Sequence, residues 1–259
     1  MKRQLWFVAA AIVFAAAHTV SAAGQSIALA SGNFAFTGDN GPAFWGEISP
    51  VCAPTSVRQS PIDIDRVVID PKLDSLRVIS TETATVLTNP GYNLTATPDH
   101  KATIELNRVT YTLDHFHFHT LSEHTVLGQH GVMEVHVVFV DPSQTKLAVI
   151  GVIYRIGKQN RFLQKLLTAG LPEKTTSAPT TVEKLNLGQA FTDLGSYYNY
   201  PGSLTTPPCG ENVNWFVLKQ WAELSQDQLD AFRKVLGNDF RPVQKKNDRV
   251  VKATLRGPF

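Results

Sequence analysis

The segment His115-Phe116-His117-Phe118-His119 alternates imidazole with phenyl over five consecutive residues. A β-strand places residues i, i+2 and i+4 on one face. The segment therefore reads as a strand with three imidazoles on one side and two phenyl rings in an apolar layer on the other. Six of the eight histidines (His115, His117, His119, His124, His130 and His136) fall within 22 residues. Glu134-Val135-His136 repeats the theme on a second apolar run, 132–140. If these two strands are antiparallel neighbours, His136 lies across from the His117/His119 pair.

Three converging imidazoles are a common way to offer neutral nitrogen ligands to zinc, and three protein ligands leave the open position of a catalytic site. A lone histidine on an apolar strand is usually a satisfied core residue. Two adjacent strands that each carry an inward histidine, one of them beside Glu134, argue against that reading here. His124 and His130 read as structural or surface residues. His115 shares the correct face, but tetrahedral zinc needs only three protein ligands and a water.

The rest of the chain alternates short β-type runs with turn residues. Runs at 67–69, 75–79, 83–87, 103–106, 110–113, 115–119, 132–140 and 147–154 read as strands. Asp70-Pro71, Asn89-Pro90-Gly91, Thr97-Pro98-Asp99 and Asp141-Pro142-Ser143-Gln144 act as breakers. Two helices are expected. One spans 160–168, with Phe162, Leu163, Leu166 and Leu167 on one face and Gly170 as its stop. The other spans 225–236, with a Ser225/Gln228 capping box, a Leu229/Phe232/Leu236 stripe and Gly237 as its end. The fold class is therefore mainly β (α+β), and 259 residues with 43% hydrophobic content suffice for one large domain. A formal charge of +2 excludes the strongly basic balance of a dedicated nucleic-acid binder.

The N-terminus reads as a secretory signal peptide over residues 1–23. Lys2 and Arg3 form a basic head, 5–17 is apolar, and Ser21-Ala22-Ala23 offers cleavage after Ala22 or Ala23. Thirteen apolar residues are too few to cross a membrane, which takes about 20; an uncleaved anchor or a buried N-terminal helix is the alternative. Lys2 and Arg3 carry the whole excess of positive charge, so residues 24–259 hold 22 basic and 22 acidic side chains. Export, to a periplasmic or secreted location, favours a disulfide between the two cysteines, Cys52 and Cys209; two separate buried thiols are the alternative.

His117-x-His119-x3-Glu123 also matches the first metal motif of cupin-type oxidoreductases. The flanking glycine is absent, with Tyr111 in its place, and no histidine follows residue 136 to complete a second motif. A different pattern is complete. Gln59-Ser60-Pro61-Ile62-Asp63-Ile64, the alternating histidine segment, Ser122-Glu123-His124-Thr125, Tyr200-Pro201-Gly202-Ser203-Leu204-Thr205-Thr206-Pro207-Pro208-Cys209 and Arg241-Pro242-Val243-Gln244 together resemble the α-class carbonic anhydrases, in order, from about residue 32 to 253.

That resemblance implies a large twisted, mostly antiparallel central sheet with a few peripheral helices and a metal at the bottom of a conical cleft. It implies one Zn2+ per chain on His117, His119 and His136, and reversible hydration of CO2 to bicarbonate and a proton through a zinc-bound hydroxide. Thr205 would orient that hydroxide and donate its own proton to Glu123, and Glu134 would fix the tautomer of His136. Val138, Val149, Leu204, Thr206, Val213 and Trp215 would line the substrate pocket, and Cys52 and Cys209 would pair as in the bacterial and extracellular members. No membrane span is implied for the mature form, and a homodimer is compatible with the reading.

The departures from the pattern are specific. His115 stands where the family usually has Gln beside the first zinc ligand, and it can accept a hydrogen bond there only in one neutral tautomer. Phe34-Ala35-Phe36 replaces Trp-x-Tyr, and Phe44 replaces a histidine. Tyr92, in Asn89-Pro90-Gly91-Tyr92-Asn93, falls at the proton-shuttle position that fast members fill with histidine. A phenol holds its proton until about pH 10, which makes it a poor carrier at neutral pH. The competing functional classes are a catalytically weak or inactive carbonic-anhydrase-like binding protein and the cupin-type metal oxidoreductase.

Overall fold

A computed structural model describes residues 34–174 and 178–256. The expected signal peptide lies outside the described residues. Ten strands form the main path of a 13-stranded sheet. They are β1 (Val67–Ile69), β2 (Glu82–Thr88), β3 (Leu94–Pro98), β4 (Val109–His119), β5 (Met133–Val140), β6 (Leu147–Ile156), β7 (Thr180–Asn186), β8 (Tyr197–Gly202), β9 (Val213–Leu218) and β10 (Val251–Ala253). Their spatial order is β7-β2-β3-β4-β5-β6-β9-β8-β10-β1. Pairing is antiparallel except between β6 and β9, β6 and Ala222–Leu224, and β10 and β1. The expectation of a mostly antiparallel sheet holds.

The central strands β5 and β6 are buried on both faces, which explains their nearly unbroken apolar composition. On one face Phe116, Phe118, Val135, Val137 and Phe139 form the main core, covered by α1 (Arg161–Ala169) and α2 (Gln226–Leu236). Phe116 meets Phe162 of α1 at 5.7 Å between ring centroids, and Phe118 meets Phe232 of α2 at 5.1 Å. The two phenyl rings of the alternating segment thus anchor both helices. Asn160 caps α1 by accepting from the Leu163 N–H, and the Ser225/Gln228 capping box opens α2. The opposite face carries a second apolar cluster with Val138, Val149, Tyr200, Val213 and Trp215, and the cleft opens there.

Three local readings change. Residues 75–79 pair only at Val78–Ile79, against Thr103 and Ile104. Pro98 ends a strand rather than breaking one. The Asp99 N–H bonds Ala84 O on β2, so position 98 faces β4, where pairing has already stopped at Ala96 and no donor is needed. Finally, 110–113 and 115–119 are one strand. Val138 pairs with His115 and Phe139 with Leu113, which leaves Asp114 as an extra, bulged residue. Without this bulge Leu113 would share the histidine face. With it, Leu113 joins Phe116 and Phe118 in the core.

Candidate metal centre and active-site cleft

The antiparallel register of β4 and β5 places His136 opposite His117 and Glu134 opposite His119. The three ring centroids lie 4.7–5.1 Å apart. Each imidazole is held from behind. His117 Nδ1 lies 3.0 Å from His115 Nε2, and His119 Nδ1 lies 2.6 Å from the Asp239 carbonyl oxygen. His136 Nε2 sits 3.0 Å from Glu134 Oε1, off the axis of a full hydrogen bond. A carbonyl only accepts, so His119 Nδ1 carries the proton and Nε2 is the free lone pair. The atoms left facing inward are His117 Nε2, His119 Nε2 and His136 Nδ1. His117 Nε2 and His136 Nδ1 are 3.3 Å apart, and His119 Nε2 has no partner.

Three buried nitrogen lone pairs pointing at one another are unfavourable unless a cation lies between them. This donor set fits a tetrahedral zinc with one open position. Burial first, then the neighbouring imidazoles, push His117 well below its ordinary pKa. Burial likewise lowers His136, to about 4, with Glu134 opposing. Both rings are thus neutral and ready to act as ligands at pH 7. Among the described residues a second group, His124, Glu134 and His136, also has ligand spacing. Its donors are already used: His124 Nδ1 lies 2.8 Å from Glu134 Oε1, and His124 Nε2 lies 2.7 Å from Tyr200 Oη. This second group is a hydrogen-bond network behind the His117, His119 and His136 cluster.

Glu134 is fully buried. Its Oε2 accepts from the Glu123 and His124 N–H groups at 2.8 and 2.9 Å. Burial alone would raise its pKa, but His124 and His136 outweigh that and hold the carboxyl well below the usual range. A Cβ on Gly151, which pairs with His136, would lie 2.8 Å from Glu134 Oε1, so glycine keeps this space open. Glu123 behaves oppositely. Burial lifts it to about 8, against the Thr205 hydroxyl and the Arg241 N–H, which bonds Oε1 at 2.7 Å. Glu123 Oε2 makes no full hydrogen bond and faces His119 Nε2 at 3.5 Å and His136 Nδ1 at 3.8 Å. A cation between those nitrogens would favour the ionised carboxylate.

Thr205 is buried on the loop after β8. Ser60 and Ser203 lock that loop through reciprocal bonds of 2.8 and 3.0 Å, and the Leu204 N–H reaches Gly210 O. Gly202 is required at the loop's start, because a Cβ would come within 2.2 Å of Ser60 Oγ. The loop ends in a disulfide between Cys52 and Cys209, so the two cysteines pair rather than standing as separate thiols.

Val138, Val149, Leu204, Thr205, Thr206 and Trp215 line a cavity of about 40 Å³ with His115, His117 and His136, and Phe34, Tyr92 and Pro207 stand at its edge. That volume suits an occupant of a few heavy atoms. A wider space of about 550 Å³ shares His115, Val138 and Leu204 with it, so a narrow floor opens outward. Val213 does not line the floor; it packs in the apolar layer with Val149 and Trp215. Tyr92, on the wall of the small cavity, packs at 5.0 Å against Phe34.

Asp239 and Asp114 carry no clear signal in the sequence, whereas His124 and Arg241 stand in segments that carry the resemblance without an assigned role. His124, read as structural or surface, is fully buried in the Glu134 network. Asp239 and Arg241 reach His119 and Glu123 through backbone atoms, which carry no side-chain signature. Asp114 reaches the site only through the bulge; its Oδ2 lies 2.7 Å from His115 Nδ1. His130 is exposed and bonds Ser122 O, as a surface residue would.

The fold and the site together define a class: three converging histidines that could hold a metal, set on a large mixed sheet beside a small cavity. Residues 40–255 match the model of the family described as eukaryotic-type carbonic anhydrase. A carbonic anhydrase of Neisseria gonorrhoeae is 35% identical over 239 residues, covering 86% of this chain and 90% of that protein. Among solved structures, the alpha-carbonic anhydrase of Photobacterium profundum superposes with a TM-score of 0.78 at 34% identity, covering 85% of this chain and 99% of the other. The alpha-carbonic anhydrase of Thermovibrio ammonificans, in complex with the inhibitor sulfanilamide, gives 0.80 at 34% identity, covering 86% and 100%. The chain belongs to the eukaryotic-type carbonic anhydrase family, a family of enzymes. That membership removes the cupin reading.

Proposed function

We propose that the protein catalyses the reversible hydration of CO2 to bicarbonate and a proton, with one zinc ion per chain on His117, His119 and His136. The observation that carries the proposal is the convergence of three inward lone pairs at the bottom of a small apolar pocket. Zinc held there supplies the Lewis acidity that makes water nucleophilic at neutral pH, the property for which carbonic anhydrases are the type case.

The chain's own residues do the rest. Ionised Glu123 can only accept, so the Thr205 hydroxyl turns its proton toward Glu123 and presents its lone pairs to the reacting water. The Arg241 N–H holds Glu123 in place. Glu134, His115 and the Asp239 carbonyl fix the three ring orientations. Val138, Val149, Leu204 and Trp215 give an uncharged linear molecule an apolar wall, and Thr206 offers a polar edge for the departing bicarbonate. With Tyr92 on the cavity wall instead of histidine, proton export limits turnover. Added imidazole buffer should therefore raise kcat; a kcat independent of buffer concentration would sink that part of the proposal.

The disulfide supports export, because such bonds persist in oxidising compartments. Among the described residues no helix is long and apolar enough to cross a membrane. Removal of residues 1–23 as a signal peptide then yields a periplasmic or secreted enzyme, and N-terminal sequencing of the exported protein should begin at Ala23 or Gly24. Metal analysis with a stopped-flow hydration assay tests the function itself. One zinc per chain and rapid hydration are expected. Folded protein without zinc or hydration points to a non-catalytic binding protein.

A further inference from the structure

His115 raises a problem that glutamine at the same place would not. A glutamine carbonyl is a fixed acceptor, whereas a histidine nitrogen accepts in one neutral tautomer and donates in the other. His117 needs an acceptor at Nδ1 if its Nε2 is to face the metal. His115 Nε2 lies 3.0 Å from that nitrogen. The other His115 nitrogen, Nδ1, lies 2.7 Å from Asp114 Oδ2.

That second contact is unusual for adjacent residues in a strand, whose side chains point to opposite faces. The bulge between His115 and Leu113 allows it, because Asp114 is the residue left over between the paired positions and its side chain is re-aimed. The Lys101 ammonium donates to the Asp114 carbonyl oxygen at 2.8 Å and so steadies the bulged backbone. A carboxylate only accepts, so beside Asp114 the His115 proton belongs on Nδ1 and Nε2 is left as the acceptor.

We propose that Asp114 is a positioning residue of the metal centre. By accepting the His115 Nδ1–H at the bulge, it holds the tautomer in which His115 Nε2 accepts from His117 Nδ1–H, and so aims His117 Nε2 at the metal. The Asp114 carboxyl is held below the usual carboxylate range, chiefly by its hydrogen bond with His115 and against some burial. The side chain is 52% exposed, so its replacement leaves the core untouched. This inference rests on the reading of His117 as a zinc ligand.

The test uses the full chain with Asp114→Ala, His115→Gln and the double variant. Zinc affinity is read by chelator competition, and the His115 tautomer by 15N NMR in both metal-free and zinc-loaded protein. In the wild type the proton should reside on His115 Nδ1. Asp114→Ala should shift it toward Nε2 and weaken zinc binding by about tenfold, the lower end for a residue supporting a metal ligand. His115→Gln restores a fixed acceptor, so adding Asp114→Ala to it should change affinity by no more than about twofold. An unchanged tautomer and affinity in Asp114→Ala would overturn the inference, as would an equal loss in the His115→Gln background. If the wild type binds no zinc, the functional reading fails, while the metal-free NMR still decides the role of Asp114.

Discussion

At the floor of the cleft every imidazole is held from behind by a neighbouring group: His115 for His117, the Asp239 carbonyl for His119 and Glu134 for His136. Beside it, Phe34, Phe36, Trp45 and Tyr92 form an aromatic cluster with ring contacts of 5.0–6.1 Å next to the disulfide. The contrast bears on which substitutions each region tolerates. A buried polar network fails when one partner is lost, since an orphaned group costs about 1–3 kcal/mol. Aromatic packing tolerates exchange of one ring for another of similar volume. Of the departures expected from the resemblance, Phe34, Phe36 and Tyr92 fall in the aromatic cluster, and Phe44 is exposed. His115, also expected as a departure, stands beside the Asp114 bulge.

Substitutions on the two sides should separate accordingly. His119→Ala is expected to abolish zinc binding and lower CO2 hydration by on the order of 10³-fold or more, read by metal analysis and stopped flow. Thr205→Val should reduce kcat/KM by about 10²-fold with zinc retained, and Thr205→Ser should recover most of it; equal losses in both would remove the hydroxyl from the argument. Glu134→Gln should weaken zinc by about 10- to 100-fold in chelator competition, because it disturbs His136 and His124 together.

The aromatic cluster and its disulfide should answer differently. Reducing Cys52–Cys209 closes off no metal contact but frees a loop of 157 residues. It should cost about 2–5 kcal/mol in denaturant unfolding while the folded fraction keeps its zinc. Zinc loss in step with reduction would erase the distinction between the two regions. The smallest effect is a gain: Tyr92→His should raise kcat several-fold in weakly buffered solution and leave zinc affinity unchanged.

Much of the site is legible in the amino-acid sequence. Period-2 alternation at 115–119 and at Glu134/His136 marks the ligand face, and the Phe116 and Phe118 rings point to the opposite layer. The Ser225/Gln228 capping box is readable because it depends on residue types three positions apart, whereas the Asn160 cap emerges only in the structure. Val213, which the resemblance put on the pocket wall, packs in the apolar layer with Val149 and Trp215.

The sequence by itself determined which side chains can carry this chemistry: three imidazoles, two buried carboxylates, one hydroxyl and a cysteine pair. Only the tertiary structure decided how their atoms are aimed. The β4–β5 register sets His136 against His117. The acceptor for His119 is a backbone carbonyl 120 positions away, and the donor to Glu123 is a backbone N–H 118 positions away. Every residue has such groups, so their use leaves no mark in the chain. The bulge at Asp114 is hidden for a related reason. One extra residue shifts the phase of a two-residue repeat, and only the paired strand shows where the shift occurs.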